Sequence, residues 1–597
     1  MSVPEKKRRA PLDLSLLLDQ YKQGYTKEYD KFLSRLGDPE IQPEDLKHYM
    51  KAIRNYVTLI DKEFEILVGI ILKLDWVTQK PDVVQDYQSL LLSLLSAHTC
   101  YLRAGLRMLV KHFLPKLAPL NPKDDNGNFI ITKETRQRDE VAFVNVHMLL
   151  KALFQCTPMC PVVLMPLLTD LYPHMTKDVY YHECFIRNLL QTTHYIPSLR
   201  QKICRLVVDG MLTFDVRCPR HEIEEAEDND EEEEDMEQEV LFEMDDPEIQ
   251  KEITSTESSW NKKNLEDRCG KPMSHKEAHK LDVVMDLTLQ YIYNICHTQG
   301  KLNWEATKQL YRELLLIFEQ VILPTHASCH VQFIMFYLCS LKQAICEGFM
   351  DFLWKRIQDP NVQGVFRQAA AGYMGSILSR ALFVPISTVT SCLDLLCGWI
   401  HKYLDQISNE TLYPDIAHHG PFYAVCQAVF YVFVFRNKEI FETKKGYKWA
   451  ESLNFQRIVT SRLNPLRIVL PVIVKTFASI TRMHQLAFCD TIIERNRRCL
   501  LPVSAESSAG SVTVTLDSFF PFDPYLLNRS RKFIIPLYRE FQGCVEEEID
   551  IEEDEEDDFI QDDAMATTPG GQSLGKTPTD FLKYGISPGF KNIQDIT

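Results

Sequence analysis

Hydrophobic positions recur along most of the chain with a helical period. Leu91, Leu94, Leu95, Leu102, Leu106, Leu109 and Val110 fall on one face at 3.6 residues per turn, and Leu281, Val284, Met285 and Ile292 repeat the pattern. Alternation with a period of two is clear only at Val512, Val514 and Leu516, inside a stretch containing Ser and Gly. Pro115, Pro161, Pro197, Pro324 and Pro471 open apolar runs, as expected where proline is accepted in the first turn of a helix and excluded from its interior. Many helices of moderate length, short connectors and no βαβ alternation predict an all-α fold of stacked helix pairs. The run Arg367-Gln368-Ala369-Ala370-Ala371-Gly372-Tyr373-Met374-Gly375 has the small-residue face that lets helices approach closely, although no sequence period of about 40 residues is visible.

Composition changes this picture in two ways. Hydrophobic residues make up 45% of the 597, enough to bury a core over most of the length. The longest nearly unbroken apolar run, Ala424 to Phe435 interrupted by Gln427, is shorter than the roughly 20 residues a bilayer requires, so a soluble protein is expected. The charged N-terminus does not read as a secretory leader, and the 17 cysteines stand inside apolar runs. They read as reduced core thiols of an intracellular protein.

The net charge of −17 hides its own distribution. Residues 222–248 hold 17 acidic and no basic residues, and residues 545–563 hold 13 more with none basic. Setting these aside leaves 53 acidic residues against 66 basic ones, a body of +13. Two acidic segments thus ride on a basic body, either as solvating runs or as screens for a surface meant for an acidic partner. The expected organisation is a basic tail over 1–10, an N-terminal helical half over 11–220 and an acidic disordered insertion over 221–275. A C-terminal helical half over 276–543 and a disordered tail over 544–597 complete it.

Candidate chemistry is sparse. His326, Cys329 and His330 stand at i, i+3 and i+4, which on a helix would share one face. Structural zinc normally takes four ligands, and the chain has no Cys-x-x-Cys pair. No metal or other cofactor is therefore expected, and the histidines read as hydrogen-bonding partners at a helix start after Pro324, with Phe333, Met335, Phe336 and Leu338 in the core. There is no Gly-rich phosphate loop, no Gly-x-Ser-x-Gly elbow and no His-Glu-x-x-His, so no catalytic residue is assigned and an enzyme is not expected. Asp490 and Glu494, followed by Arg495, Arg497 and Arg498, read as helix-face ion pairs.

Lys6, Lys7, Arg8 and Arg9 read as a nuclear import signal. The clusters Arg495, Arg497, Arg498 and Arg529, Arg531, Lys532 lack the interleaved aromatics of a base-stacking platform, so solvated faces are favoured over direct DNA contact. Phe519, Phe520 and Phe522, with Pro521 and Pro524, form an apolar knot expected to dock on the C-terminal helices. Thr568, Thr577 and Ser587 each precede a proline and are candidate phosphorylation sites.

Five strings together are far more specific than any of these features. They are Pro324-Thr325-His326-Ala327-Ser328-Cys329-His330-Val331-Gln332 running on to Leu341; His419-Gly420-Pro421-Phe422-Tyr423 running on to Phe435-Arg436; Leu463-Asn464-Pro465-Leu466; Thr491-Ile492-Ile493-Glu494-Arg495-Asn496; and Phe519-Phe520-Pro521-Phe522-Asp523-Pro524. In this order they resemble the family of RNA polymerase I-specific transcription initiation factors often called TIF-IA.

The resemblance implies a HEAT-like α-solenoid of stacked antiparallel helix pairs. It implies a non-enzymatic nuclear and nucleolar factor, regulated by phosphorylation, that binds RNA polymerase I and bridges it to the promoter-bound selectivity or core factor at ribosomal RNA genes. In that family a serine-rich patch on the N-terminal half contacts the polymerase stalk. The nearest match here is Thr157, within Cys156-Thr157-Pro158-Met159-Cys160-Pro161. Ser93, Ser96 and Thr99 are further candidates, with hydroxyls bonded back to helix carbonyls as the alternative reading. The alternative function is a HEAT-type nuclear transport or scaffolding adaptor of the same architecture.

Overall fold

The computed structural model describes residues 14–117 except 39, 129–227, 271–407 except 327, 415–498, 516 and 520–541. Among them the structure is helical almost throughout. The one strand ladder among the described residues is a two-residue hairpin, His297–Thr298 with Lys301–Leu302. Contacts between Cα atoms divide the chain into two units. The first takes residues 1–214 and 279–291, the second 215–278 and 292–597.

In the first unit, the predicted Leu91–Val110 face is realised as two helices rather than one. Pro81–Ala97 and Leu102–Lys111 are separated by a short 3-10 turn at Thr99–Tyr101, and all seven apolar residues of the pattern are buried. Gly105 marks how closely the two helices approach, since a Cβ there would run into the Leu95 side chain. The long helix Lys133–Cys156 starts on a Thr132 cap, whose hydroxyl accepts from the Thr135 amide. Gln88 Nε2 donates to the Asn145 carbonyl at 2.9 Å, and Asn145 Nδ2 donates to the Val77 carbonyl at 2.8 Å, tying Lys133–Cys156 to Pro81–Ala97 and the turn before it.

The second unit shows the stacking that defines the HEAT-like class. Gly364–Arg380 and Ile416–Glu442 run parallel, with Gly364 beside Pro421 and Gly375 beside Ala428. Ile386–Gln406 lies between them in sequence and runs the opposite way. Its end meets the start of Ile416–Glu442, where Tyr403 stacks on Phe422 at 5.3 Å. Gly375 makes this possible: an added Cβ would lie 2.9 Å from Ala428 Cβ, inside contact distance. The small-residue face predicted from sequence therefore packs as expected. Pro421 sits inside the long helix, which kinks at His419 (φ −112°, ψ 15°).

Three expectations differ from the structure. Helix Phe333–Ser340 starts nine residues after Pro324, and the described residues between them are not helical. Pro115 and Pro324 do not open helices, whereas Pro161 and Pro471 do. The folded body also reaches into the acidic insertion. Residues 220–227 are helical, Ile223 is buried, and Glu227 accepts from the Ser274 amide at 2.9 Å.

Candidate protein-interaction surface

Helix Lys133–Cys156 turns its buried face inward through Ala142, Phe143, Val146, Leu149, Leu150 and Leu153. Its opposite face carries Val141, Val144 and Met148 at i, i+3 and i+7, between 54% and 59% exposed. The next helix, Cys160–Asp170, continues with Val162 at 76% exposure, and Met159 just before it is 60% exposed. Exposed large apolar side chains on two successive helices make this part of the first unit a candidate protein-binding surface. Periodicity alone misses this face, because exposed valines and methionines read as core positions until their burial is known.

The four hydroxyl candidates separate. Ser96 and Thr99 are exposed and Ser93 is half-buried. Ser93 Oγ donates to the Ser89 carbonyl at 2.9 Å and Ser96 Oγ to the Leu92 carbonyl at 2.6 Å, the back-bonding pattern of helical serines. Thr157 is only 5% exposed. Its amide closes helix Lys133–Cys156 on the Leu153 carbonyl, and its hydroxyl oxygen is buried without a partner among the described residues. Around it Cys156, Pro158, Met159 and Val162 are exposed.

The histidine-cysteine string has a structural role. His326 is exposed while His330 is fully buried, so the two do not share a helix face. His330 Nδ1 lies 3.0 Å from Oδ1 of Asp215, and both side chains are completely enclosed. The same carboxylate accepts from Ser328 Oγ at 2.7 Å and from the amides of Cys329, His330 and Val331 at 3.1, 2.9 and 3.0 Å. Burial alone would raise the Asp215 carboxyl. The bond and charge of His330, the Ser328 hydroxyl and the Val331 amide outweigh it and hold the carboxyl below its usual range. Among the described residues, no three His, Cys, Asp or Glu side chains are grouped to hold a metal ion. Cys329 is pushed up to about 12 by burial, which makes it a poor nucleophile and a poor metal ligand.

This knot anchors the C-terminal segment 520–541, which forms a strap over the helices of the second unit. Gln332 Nε2 donates to the Pro521 carbonyl at 2.7 Å, and Arg220 Nη1 donates to the Pro524 carbonyl at 2.6 Å. Phe522 is fully buried against Phe333, Phe336 and Tyr373, and Phe520 stacks on Tyr431 at 4.4 Å. The apolar knot of the strap docks on the helices as its composition predicts, with Phe519 outside the described residues. Leu382 N donates to the Leu537 carbonyl and Arg539 N to the Arg380 carbonyl, so the strap runs on past the end of helix Gly364–Arg380.

Of the basic candidates, Arg495, Arg497 and Arg498 are exposed on helix Asp490–Arg498, with Arg498 Nε donating to Glu494 at 3.1 Å. Arg529 is half-buried and Arg531 buried, which leaves Lys532 as the exposed member of that cluster. Lys6, Lys7, Arg8, Arg9, Thr568, Thr577 and Ser587 lie outside the described residues. No helix among the described residues is long and apolar enough to cross a membrane.

The comparisons agree with the strings noted in the sequence. The family model described as "RNA polymerase I specific transcription initiation factor RRN3" matches residues 15–546. The mouse RNA polymerase I-specific transcription initiation factor RRN3 is 39% identical, over 98% of this chain and 90% of the mouse protein. The fission yeast factor rrn3 is 26% identical, over 86% of this chain and 82% of its own. The crystal structure of RNA polymerase I transcription initiation factor Rrn3 superposes with a TM-score of 0.67 at 19% identity, covering 88% of this chain and 97% of that one, which establishes the shared all-α fold. The chain therefore belongs to the family of RNA polymerase I-specific transcription initiation factors described as RRN3.

Proposed function

We propose that this protein acts in transcription initiation by RNA polymerase I, binding the polymerase through its first unit and linking it to promoter-bound factors at ribosomal RNA genes. The observation that carries the reading is the family match, which runs through nearly the whole chain rather than one module of it. The protein works as a binding surface, not as an enzyme, in the nucleus and nucleolus. The apolar face of Val141, Val144, Met148, Met159 and Val162 is the docking site for the polymerase stalk, with Ser96 and Thr99 as exposed hydroxyls whose phosphorylation would add a charge to be desolvated on docking. Stacked helices suit this task because they present extended surfaces to more than one large partner.

The test is co-purification of the full chain with purified RNA polymerase I, and then with the promoter-bound factor added. Retention of the polymerase alone would support the first half of the reading, and a ternary complex the second. A transport or scaffolding adaptor would instead capture varied cargo and leave polymerase I behind.

A further inference from the structure

The second unit carries a basic surface that the proposed function leaves without a role. Residues 444–498 contain 11 basic residues against three acidic ones. Lys438, Lys444, Lys445 and Lys448 are all exposed, and none forms an ion pair among the described residues. The nearby carboxylates in sequence are Glu439, Glu442 and Glu451. Of these, Glu439 is engaged by Arg436 at 3.1 Å and by Arg539. The same stretch of sequence exposes apolar side chains: Tyr447, Met483 and Phe488 are 50%, 72% and 59% exposed. The ring of Phe441 stacks on His484 at 3.7 Å, which brings the end of helix Ile416–Glu442 against the end of helix Pro471–Met483.

The place where the strap ends bears on what covers this surface. Phe541 packs on Phe435 at 4.8 Å, and Arg539 pairs with Glu439 on the same helix. From Phe435 to Glu442 the helix rises only about 10 Å. Five residues beyond Phe541 the chain reaches Glu546, the first of the 13 acidic residues, and five extended residues span about 17 Å. Val545, Ile549, Ile551, Phe559 and Ile560 are interspersed in that acidic run. A segment of alternating carboxylates and apolar side chains therefore leaves the body beside an exposed mixture of lysines and apolar side chains.

We infer that residues 545–563 dock in cis on the surface formed by Lys438, Lys444, Lys445, Lys448, Tyr447 and Phe488, and shield it from other polyanions. Tethering makes even a weak contact populated. With an effective concentration on the order of 1 mM for a short tether, a free-peptide affinity as weak as about 0.1 mM would suffice to leave the surface about tenfold less often open. Because the contact is ionic, it should weaken as salt rises.

Hydrogen exchange on the full-length chain tests this at the loops 443–445 and 484–489. The parent is compared with a full-length chain in which the 13 acidic residues of 546–563 are changed to Asn and Gln, and with the triple variant Lys444→Glu, Lys445→Glu, Lys448→Glu. Exchange in these loops should rise about tenfold in both variants, and by a similar factor for the parent in high salt. Carbodiimide coupling in the parent should join carboxylates of 546–563 to Lys438, Lys444, Lys445 or Lys448 in preference to other lysines. Equal exchange in the parent and the tail-neutralised chain would overturn the inference. So would protection that disappears only when residues 230–248 are neutralised, or that appears only on adding heparin, since those results would make the occupant the other acidic segment or an external polyanion.

Discussion

Asp215→Asn is the most exacting perturbation of the second unit. The carboxylate collects five donors from one turn: the Ser328 hydroxyl, the amides of Cys329, His330 and Val331, and His330 Nδ1. An isosteric amide supplies one acceptor oxygen and turns an NH2 group toward donors that held the other. With its oxygen in the Oδ2 position it keeps the Ser328 hydroxyl and the three amides, but its NH2 then faces His330 Nδ1, so at least one buried hydrogen bond is lost at about 1–3 kcal/mol. For a unit of this size, at about 2 °C per kcal/mol, the melting midpoint should fall by roughly 2–6 °C.

The pH dependence has a definite sign. Asp215 is held below its ordinary value of 3.8, so its contribution is complete above that pH and is lost as pH falls through the lower folded value. The difference between parent and variant should therefore be flat from about pH 5 to 8 and shrink below about pH 4. Thermal unfolding followed by circular dichroism across that range is the assay. A variant that melts within about 1 °C of the parent at neutral pH would refute the view that this carboxylate organises residues 328–332.

Gly375→Ala should destabilise by about 1–3 kcal/mol through overpacking against Ala428, despite the better helix propensity of alanine; chemical denaturation would read it, and a stabilised variant would show that the two helices part easily. Deleting 229–248 should leave the melting curve unchanged, whereas deleting 222–248 should lower it, because the latter removes the buried Ile223 and the Glu227 carboxylate that accepts from Ser274 and Asn528. Thr157→Asp should lower stability by about 2–4 kcal/mol by burying a carboxylate, while Thr157→Val should be neutral or slightly stabilising. Melting curves of the two variants side by side test this, and an unperturbed Thr157→Asp protein would contradict the burial.

The sequence and the structure agree where a single element decides the outcome. The Leu91–Val110 stripe, the Arg367–Gly375 face and the Phe520–Pro524 knot are local patterns, and each packs as its residue types require. They diverge where the deciding partner is far away in the chain. His330 suggests a helix cap until Asp215, 115 residues earlier, is placed beside it. Once that carboxylate gathers the amides of residues 329–331, those residues are committed to a turn and the helix cannot start before Phe333. Thr157 suggests a modifiable surface hydroxyl from its Thr-Pro context, yet the helix end around it turns the side chain inward and leaves Met159 and Val162 outside. Exposed apolar residues of that kind carry no local mark that separates them from core.

The central claim is that the first unit docks on RNA polymerase I through its apolar face, and one affinity measurement addresses it directly. Purified RNA polymerase I is titrated with the parent chain and with the double variant Met159→Glu, Val162→Glu, both sites being more than half exposed. The account predicts saturable binding by the parent and a loss of at least about tenfold in the variant, equivalent to about 1.4 kcal/mol, with an unchanged melting curve. A parent chain that fails to bind the polymerase, or a well-folded variant that binds as tightly as the parent, would contradict it.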